Sequence, residues 1–243
     1  SAVCLCLAVD ALGKEHVRAL LMPSRYSSES SVTDAVKLAE GLDVKYDIIS
    51  IEKPFRAFEE VLSPLFTGRQ RNVTEENIQA RIRAVLLMAV SNKFGCILLN
   101  TSNKSEAAVG YGTLYGDMAG GLSVIGDVYK TDIYKLSGYI NREKEVIPVS
   151  IINKLPSAEL KPGQLDTDTL PDYNILDAIL YQYIELQKPA EKITGKGIDR
   201  ETVEKVISMI NFNEFKRYQA APVLRISSKA FGDGRRMPIV AKY

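Results

Sequence analysis

The chain carries one histidine, His16, three cysteines and almost no net charge, with 31 Lys+Arg against 30 Asp+Glu in 243 residues. Each shortage removes a class of function. A single imidazole, with no nucleophile elbow, does not support the usual hydrolytic triads. Cys4, Cys6 and Cys96 lie in apolar runs without the spacing of a zinc site. They read as reduced core thiols of a cytosolic protein, with neither metal nor disulfide indicated. The longest apolar run, Ala2 to Val9, is far short of the ~20 residues that span a bilayer, and it lacks a basic flank or cleavage site. Balanced charge argues against a broad nucleic-acid or membrane surface, because both need a sustained basic excess. A cytoplasmic location is expected.

What is present is ordinary for a globular chain: 46% hydrophobic and 25% charged residues, enough for one large domain or two small ones. There is no internal repeat and no low-complexity tract. Ala2 to Leu12 reads as a helix, Val17 to Met22 as a strand, Ser31 to Gly41 as a helix and Lys45 to Ser50 as a strand. Helices over Pro54 to Leu65 and Glu75 to Phe94 follow, then a strand over Cys96 to Leu99. This alternation predicts an α/β fold with a parallel sheet and helices on both faces. Thr74-Glu75-Glu76-Asn77 has the hydroxyl and acids of a helix start, and Gly41 is a helix stop. Leu160 to Tyr173, with Pro162, Gly163 and Pro171, reads as a mobile loop. Its length favours a lid that covers a substrate over a passive linker. Helices at Ile175 to Leu186 and Arg200 to Ile210 close the chain.

The most informative stretch runs from Thr101 to Gly121. It gathers hydroxyls, amides, one lysine, two carboxylates (Glu106 and Asp117) and five glycines. It follows the apolar run Cys96-Ile97-Leu98-Leu99-Asn100, read as a buried parallel strand, so the polar groups sit where a strand's carboxyl end opens onto a cleft. Such a mixture suits nucleotide recognition. With the usual triads set aside, it points to chemistry driven by positioning and charge neutralisation.

Several segments carry a resemblance that spans the chain. They are MPSRYSS from Met22, TEENIQARIR from Thr74, TSNKSEAAVGYGTLYGDMAGG from Thr101, DVYKTDIYKL from Asp127, LPSAELKPGQ from Leu155, LPDYNILD from Leu170, and EFKRYQAAP with FGDGRRMPI near the end. Together they resemble the synthetase domain of glutamine-dependent NAD synthetases, which amidate nicotinic acid adenine dinucleotide (deamido-NAD) with ATP. The resemblance implies a doubly wound parallel sheet of the adenine-nucleotide alpha-hydrolase-like, ATP pyrophosphatase type. It also implies magnesium, an acyl-adenylate intermediate, release of AMP and pyrophosphate, and a homodimer or higher homo-oligomer. The family's pyrophosphate loop, Ser-Gly-Gly-x-Asp-Ser, meets this sequence only at Ser1. The first strand and loop are therefore expected upstream, and residues 1–243 are expected to form a single synthetase domain. The wording of the glycine-rich and closing motifs resembles the glutamine-dependent proteins, so a nitrilase-like glutaminase domain supplying ammonia is implied before this chain.

Residue by residue, the resemblance assigns Ser1, Thr101 and Lys130 to ATP, with Arg25 and Ser157 as further ATP contacts. Ser157 and Glu159 match the edge of the phosphate lid. Asn77, Arg81, Glu106 and Lys216 are assigned to deamido-NAD, and Glu106 also to the magnesium ion. Glu106 and Lys130 are the expected catalytic pair. Asn77 and Arg81, four apart, point from one face of their helix. Asp117, between glycines, guides the nicotinate end or ammonia, or else stabilises a turn. Two other readings remain open: a related amidase acting on another nucleotide, and a nucleotide-binding domain without catalysis.

Overall fold

The opening helix α1, Ala2–Leu12, is apolar along nearly its whole length and buries Val3, Cys4, Cys6 and Ala8. The computed structural model describes residues 1–239. Their packing separates into two units, Ser1–Cys96 with Leu136–Asp166, and Ile97–Lys135 with the chain from Thr167 onward.

In the first unit β1, Arg18–Leu21, leads through helix α2, Glu29–Gly41, to β2, Lys45–Ile48. β1 and β2 pair in parallel, Arg18 opposite Lys45 and Leu21 opposite Ile48, as a βαβ connection requires. Helix α3, Glu52–Leu62, buries Phe55. Helix α4, Val73–Phe94, then contributes Ile82 to a core with Ile51 and Phe55. α4 begins before the expected Thr74 cap. Asn72 Oδ1 accepts the Thr74 N–H at 2.8 Å, and the Glu75 carboxylate accepts the Asn72 N–H at 2.9 Å. Two donors at the helix end are satisfied reciprocally.

Gly95, in the left-handed conformation, ends α4. The strand expected from Cys96 shrinks to β3, Leu99–Asn100, and Cys96 is exposed rather than in the core. The backbone N–H of Cys96 goes to Ser91 O at 3.0 Å and its carbonyl accepts from Ser91 Oγ, so the chain is still finishing the helix where a strand was expected. Cys4 and Cys6 are buried as expected, and burial pushes the Cys6 thiol up to about 11.

The second unit starts at β3, followed by helix α5, Lys104–Val109, and strand β4, Leu122–Ser123, which pairs with β3 in parallel. Helix α6, Lys130–Ile140, carries the chain back to the first unit, where helix α7, Val149–Asn153, lies. Beyond α7 the only helical turn before Tyr173 is a 3-10 turn at Asp166–Asp168. In the first unit Gln79 Nε2 donates to Leu160 O at 2.8 Å, and Gln164 Nε2 donates to Glu76 at 3.0 Å, tying the start of the expected lid to α4. The second unit resumes with helix α8, Tyr173–Leu180, which runs into a π turn at Tyr181–Glu185, then helices α9, Arg200–Phe212, and α10, Glu214–Arg217. Leu176, Ile179 and Leu180 of α8 pack with Val109 of α5 and Val206 and Ile210 of α9 into the unit's core. The parallel α/β character stands, with two short strand pairs in place of one long sheet.

Candidate active site

α5 fixes Glu106. Asn103 caps the helix, its Oδ1 accepting the Glu106 N–H at 2.9 Å while Glu106 Oε2 accepts the Asn103 N–H at 3.1 Å. The other carboxylate oxygen, Oε1, lies 3.5 Å from Nζ of Lys130, the first residue of α6. Both side chains are about one-fifth exposed, and the Lys130 ammonium stands 5.2 Å from the centre of the Tyr173 ring. Glu106 also lines a cavity of about 290 Å³ walled by Gly110, Tyr111, Met118 and Phe231. Thr101 is exposed just beyond β3. The expected catalytic pair is thus brought together at the edge of a cavity.

The glycine-rich segment wraps the same cavity. Gly110 has φ +69°, and a Cβ there would run into the Asn213 side chain, so glycine is required twice over. Asn213 Nδ2 donates to Val109 O at 3.0 Å. Lys216 Nζ donates to the carbonyls of Gly110 and Gly112 at 2.7 and 2.9 Å. Burial lowers the Lys216 pKa against the opposing pull of Asp117. Asp117 is an exposed residue whose Oδ1 accepts the Thr113 N–H at 2.6 Å, a turn-holding contact. Its carboxyl is raised above the ordinary range by desolvation first and by the Glu106 charge second.

Ser1, Arg25, Asn77, Arg81 and Ser157 belong to the first unit. Ser1 is the exposed N-cap residue of α1. Arg25 is engaged by protein: its guanidinium donates to Glu52 at 2.6 and 3.1 Å and to Glu59 at 3.4 Å, and stacks 5.2 Å from the Phe55 ring centre. On α4, Asn77 is half-buried and Arg81 exposed. Ser157 Oγ accepts the Glu159 N–H at 3.1 Å. The Glu159 carboxylate receives Lys154 Nζ at 2.6 Å and the Ser31 hydroxyl at 2.7 Å. These outweigh burial and hold it below its usual value.

Two groups escaped the sequence reading. Lys104, fully buried, donates to Asp127 at 2.7 Å, to Glu185 and to Ser227 at 2.9 Å. Asp177, also buried, accepts from Ser105 and from the backbone of Thr131. Lys104 was visible only as one more polar residue in TSNKSE, and Asp177 as the end of LPDYNILD. Neither local pattern announces burial.

Among the described residues no group of three or more His, Cys, Asp or Glu side chains could hold a metal by itself. Magnesium does not ask for one. It is commonly bound by one or two carboxylates together with substrate phosphates and water. A lone Glu106 carboxylate at a cavity edge fits that donor set.

The sequence pattern described as NAD synthase matches residues 1–220. The chain is 52% identical over 239 residues to the glutamine-dependent NAD(+) synthetase of Thermotoga maritima, covering 98% of this chain and 42% of that protein. It is 49% identical over 243 residues to the Synechocystis protein of the same name, covering 100% and 44%. Among solved structures, the Acinetobacter baumannii glutamine-dependent NAD+ synthetase in complex with ADP aligns with TM-score 0.63 at 46% identity, over 98% of this chain and 43% of that one. NMN synthetase from Francisella tularensis aligns with TM-score 0.75 at 27% identity, over 89% and 82%. The chain spans less than half the length of the curated relatives it matches. With a match over nearly its whole length, the chain belongs to the NAD synthase family.

Proposed function

We propose that this chain is the amidating part of a glutamine-dependent NAD synthetase, converting deamido-NAD to NAD with ATP. The observation that carries the reading is the Glu106–Lys130 pair, 3.5 Å apart beside a cavity walled by the glycine-rich segment. In the proposed reaction an oxygen of the nicotinate carboxylate attacks the α-phosphorus of ATP and the bond to pyrophosphate breaks. Ammonia then attacks the acyl carbon, loses a proton, and AMP departs. Lys130 neutralises charge on the departing phosphates, and Thr101 contributes a hydroxyl at the same strand end. Glu106 would hold magnesium together with the phosphates, and that ion, when bound, supplies charge neutralisation. Ser1, Arg25 and Ser157 are proposed further ATP contacts. Asn77, Arg81 and Lys216 are proposed to bind deamido-NAD, with Asp117 at its nicotinate end.

Ammonia is proposed to come from a glutaminase domain of the same polypeptide, and the working form to be a homodimer. Exposed apolar residues on and just after α3 and on α4, Val61, Leu65 and Val85, support a buried contact there.

The test uses the full-length protein with ATP, magnesium, ammonia and either deamido-NAD or the mononucleotide acid whose amidation yields NMN. Formation of NAD with equimolar AMP and pyrophosphate is expected, with turnover on deamido-NAD far ahead of the mononucleotide. Preference for the mononucleotide would change the substrate, and ADP in place of AMP would overturn the adenylation step. Glu106→Gln should lower kcat by roughly 10² or more, as for other preorganised electrostatic groups, with a smaller change in KM. Normal turnover by that variant across magnesium concentrations would remove the metal role.

A further inference from the structure

Glu106 and Lys130 sit on different helices, and the chain between them is glycine-rich, with Gly110, Gly112, Gly116, Gly120, Gly121 and Gly126. Such a connection does not fix a distance by itself. A third element does. Asp177, on α8, is 5% exposed, and its two oxygens reach the immediate neighbours of both members of the pair. Oδ1 accepts the hydroxyl of Ser105, the residue before Glu106, at 2.5 Å. Oδ2 accepts the backbone N–H of Thr131, the residue after Lys130, at 2.8 Å. Ser105 Oγ in turn accepts the backbone N–H of Lys130 itself at 2.9 Å. Three hydrogen bonds close a ring in which Ser105 has no solvent exposure at all.

The rest of α8 reinforces the ring. Tyr173, one turn earlier, lies under the Lys130 ammonium. In the π turn that follows α8, Glu185 takes the ammonium of Lys104, two residues before Glu106. A single helical segment therefore grips both sides of the Glu106–Lys130 pair. We infer that Asp177 is a positioning residue for the amidation reaction, holding the first turns of α5 and α6 so that Glu106 and Lys130 face one phosphate site in register. The inference rests on the function proposed above.

A buried carboxylate that merely satisfied two donors would make a different prediction. Its loss would lower the melting midpoint and leave the folded enzyme's kcat alone. A positioning carboxylate controls kcat, because a displacement near 1 Å can cost on the order of 10²-fold in rate.

The experiment measures kcat, KM for ATP and deamido-NAD, and the melting midpoint of the full-length protein at saturating ammonia. Asp177→Ala is expected to lower kcat by about 10- to 100-fold with KM values changed less than about threefold. Ser105→Ala opens the ring on one side and should lose part of that rate. The double variant should be no slower than Asp177→Ala, because both changes break one unit. Asp177→Asn can keep both contacts, accepting from Thr131 through Oδ1 and donating to Ser105 through Nδ2, but it takes away the acceptor of the buried Ser105 hydroxyl, so it should recover only part of the rate. Asp199→Ala is the control: it removes the exposed cap of α9, which accepts the Thr202 N–H at 2.8 Å, and should lower the midpoint without touching kcat.

Wild-type kcat in Asp177→Ala, or losses that multiply in the double variant, would overturn the assignment. If Asp177→Ala does not fold, Ser105→Ala and Asp177→Asn decide: full kcat in Ser105→Ala is the overturning result. Glu106→Gln is run alongside. If it loses turnover while Asp177→Ala does not, only the positioning role fails. If Glu106→Gln turns over normally, the site itself has been misread and the positioning role falls with it.

Discussion

Two charge networks, one at the surface of the first unit and one buried in the second, are held in opposite ways. In the first, Arg25, Arg56 and Arg71 share Glu52 and Glu59 near the surface, and the three arginine side chains are 34%, 68% and 56% exposed. In the second, Lys104 is sealed from water between Asp127 and Glu185. The same residue types therefore answer to different physics. Exposed pairs trade protein partners for water at nearly equal free energy. A buried set is tolerated only when complete, because each charge has given up its hydration. One member of that buried set, Lys104, lies two residues before Glu106, the proposed metal-binding carboxylate.

The sharpest way to break this contrast is Lys104→Met. Burial alone would raise the Asp127 carboxyl, yet Lys104 and the N–H groups of Ser227 and Ile226 hold it below its usual value. Removing the lysine leaves two carboxylates without their cation, at an expected cost of roughly 3–5 kcal/mol. Urea unfolding at neutral pH measures it. A loss under about 1 kcal/mol would mean that the buried set behaves like a surface pair, and the distinction between the two networks would go.

Asn72→Ala sharpens the comparison from the other side, since an exposed polar group can still matter when it serves the backbone. At the start of α4 the Asn72 side chain accepts the Thr74 N–H, and the Glu75 carboxylate accepts the Asn72 N–H. Losing the Asn72 side chain is expected to cost about 1 kcal/mol. Faster amide exchange should be confined to the first turn of α4. An unchanged midpoint and unchanged exchange at Thr74 would show that the cap contributes nothing.

Helix positions were legible where apolar residues or caps were strong. α1 falls on the expected residues, and α4 ends at Phe94, as read. Short elements were not. α5, six residues long, gives no period to see, and β4 is only Leu122–Ser123. The Cys96 reading failed because an apolar run does not reveal that Gly95 and Ser91 extend the helix end. The candidate site residues were picked out by motif resemblance rather than by physics. Glu106 and Lys130 stand out by their segments, while Ser105 and Asp177 are ordinary letters whose burial is set by packing across distant parts of the chain.

The smallest expected effect concerns pH and the first unit's surface network. The hydrogen bond from Arg25, the largest contribution, and a smaller one from Arg56 depress the Glu52 carboxyl from 4.5 to about 2, against an opposing desolvation that ranks between them. Because the folded value lies below the unfolded one, the pair's stabilisation is present in full above about pH 4.5 and is lost as pH falls toward 2. The side chain is 24% exposed, and Arg25 keeps Glu59 as a second partner. Screening and redundancy therefore limit the gain to a few tenths of a kcal/mol. Glu52→Gln should be slightly less stable than the parent at pH 6 and indistinguishable from it near pH 2. Paired urea titrations at the two pH values, at low salt, would resolve the difference. A Glu52→Gln deficit that persisted undiminished at pH 2 would show that the loss came from packing of the side chain and not from its charge, and the first unit's network would then resemble the second's more than its exposure suggests.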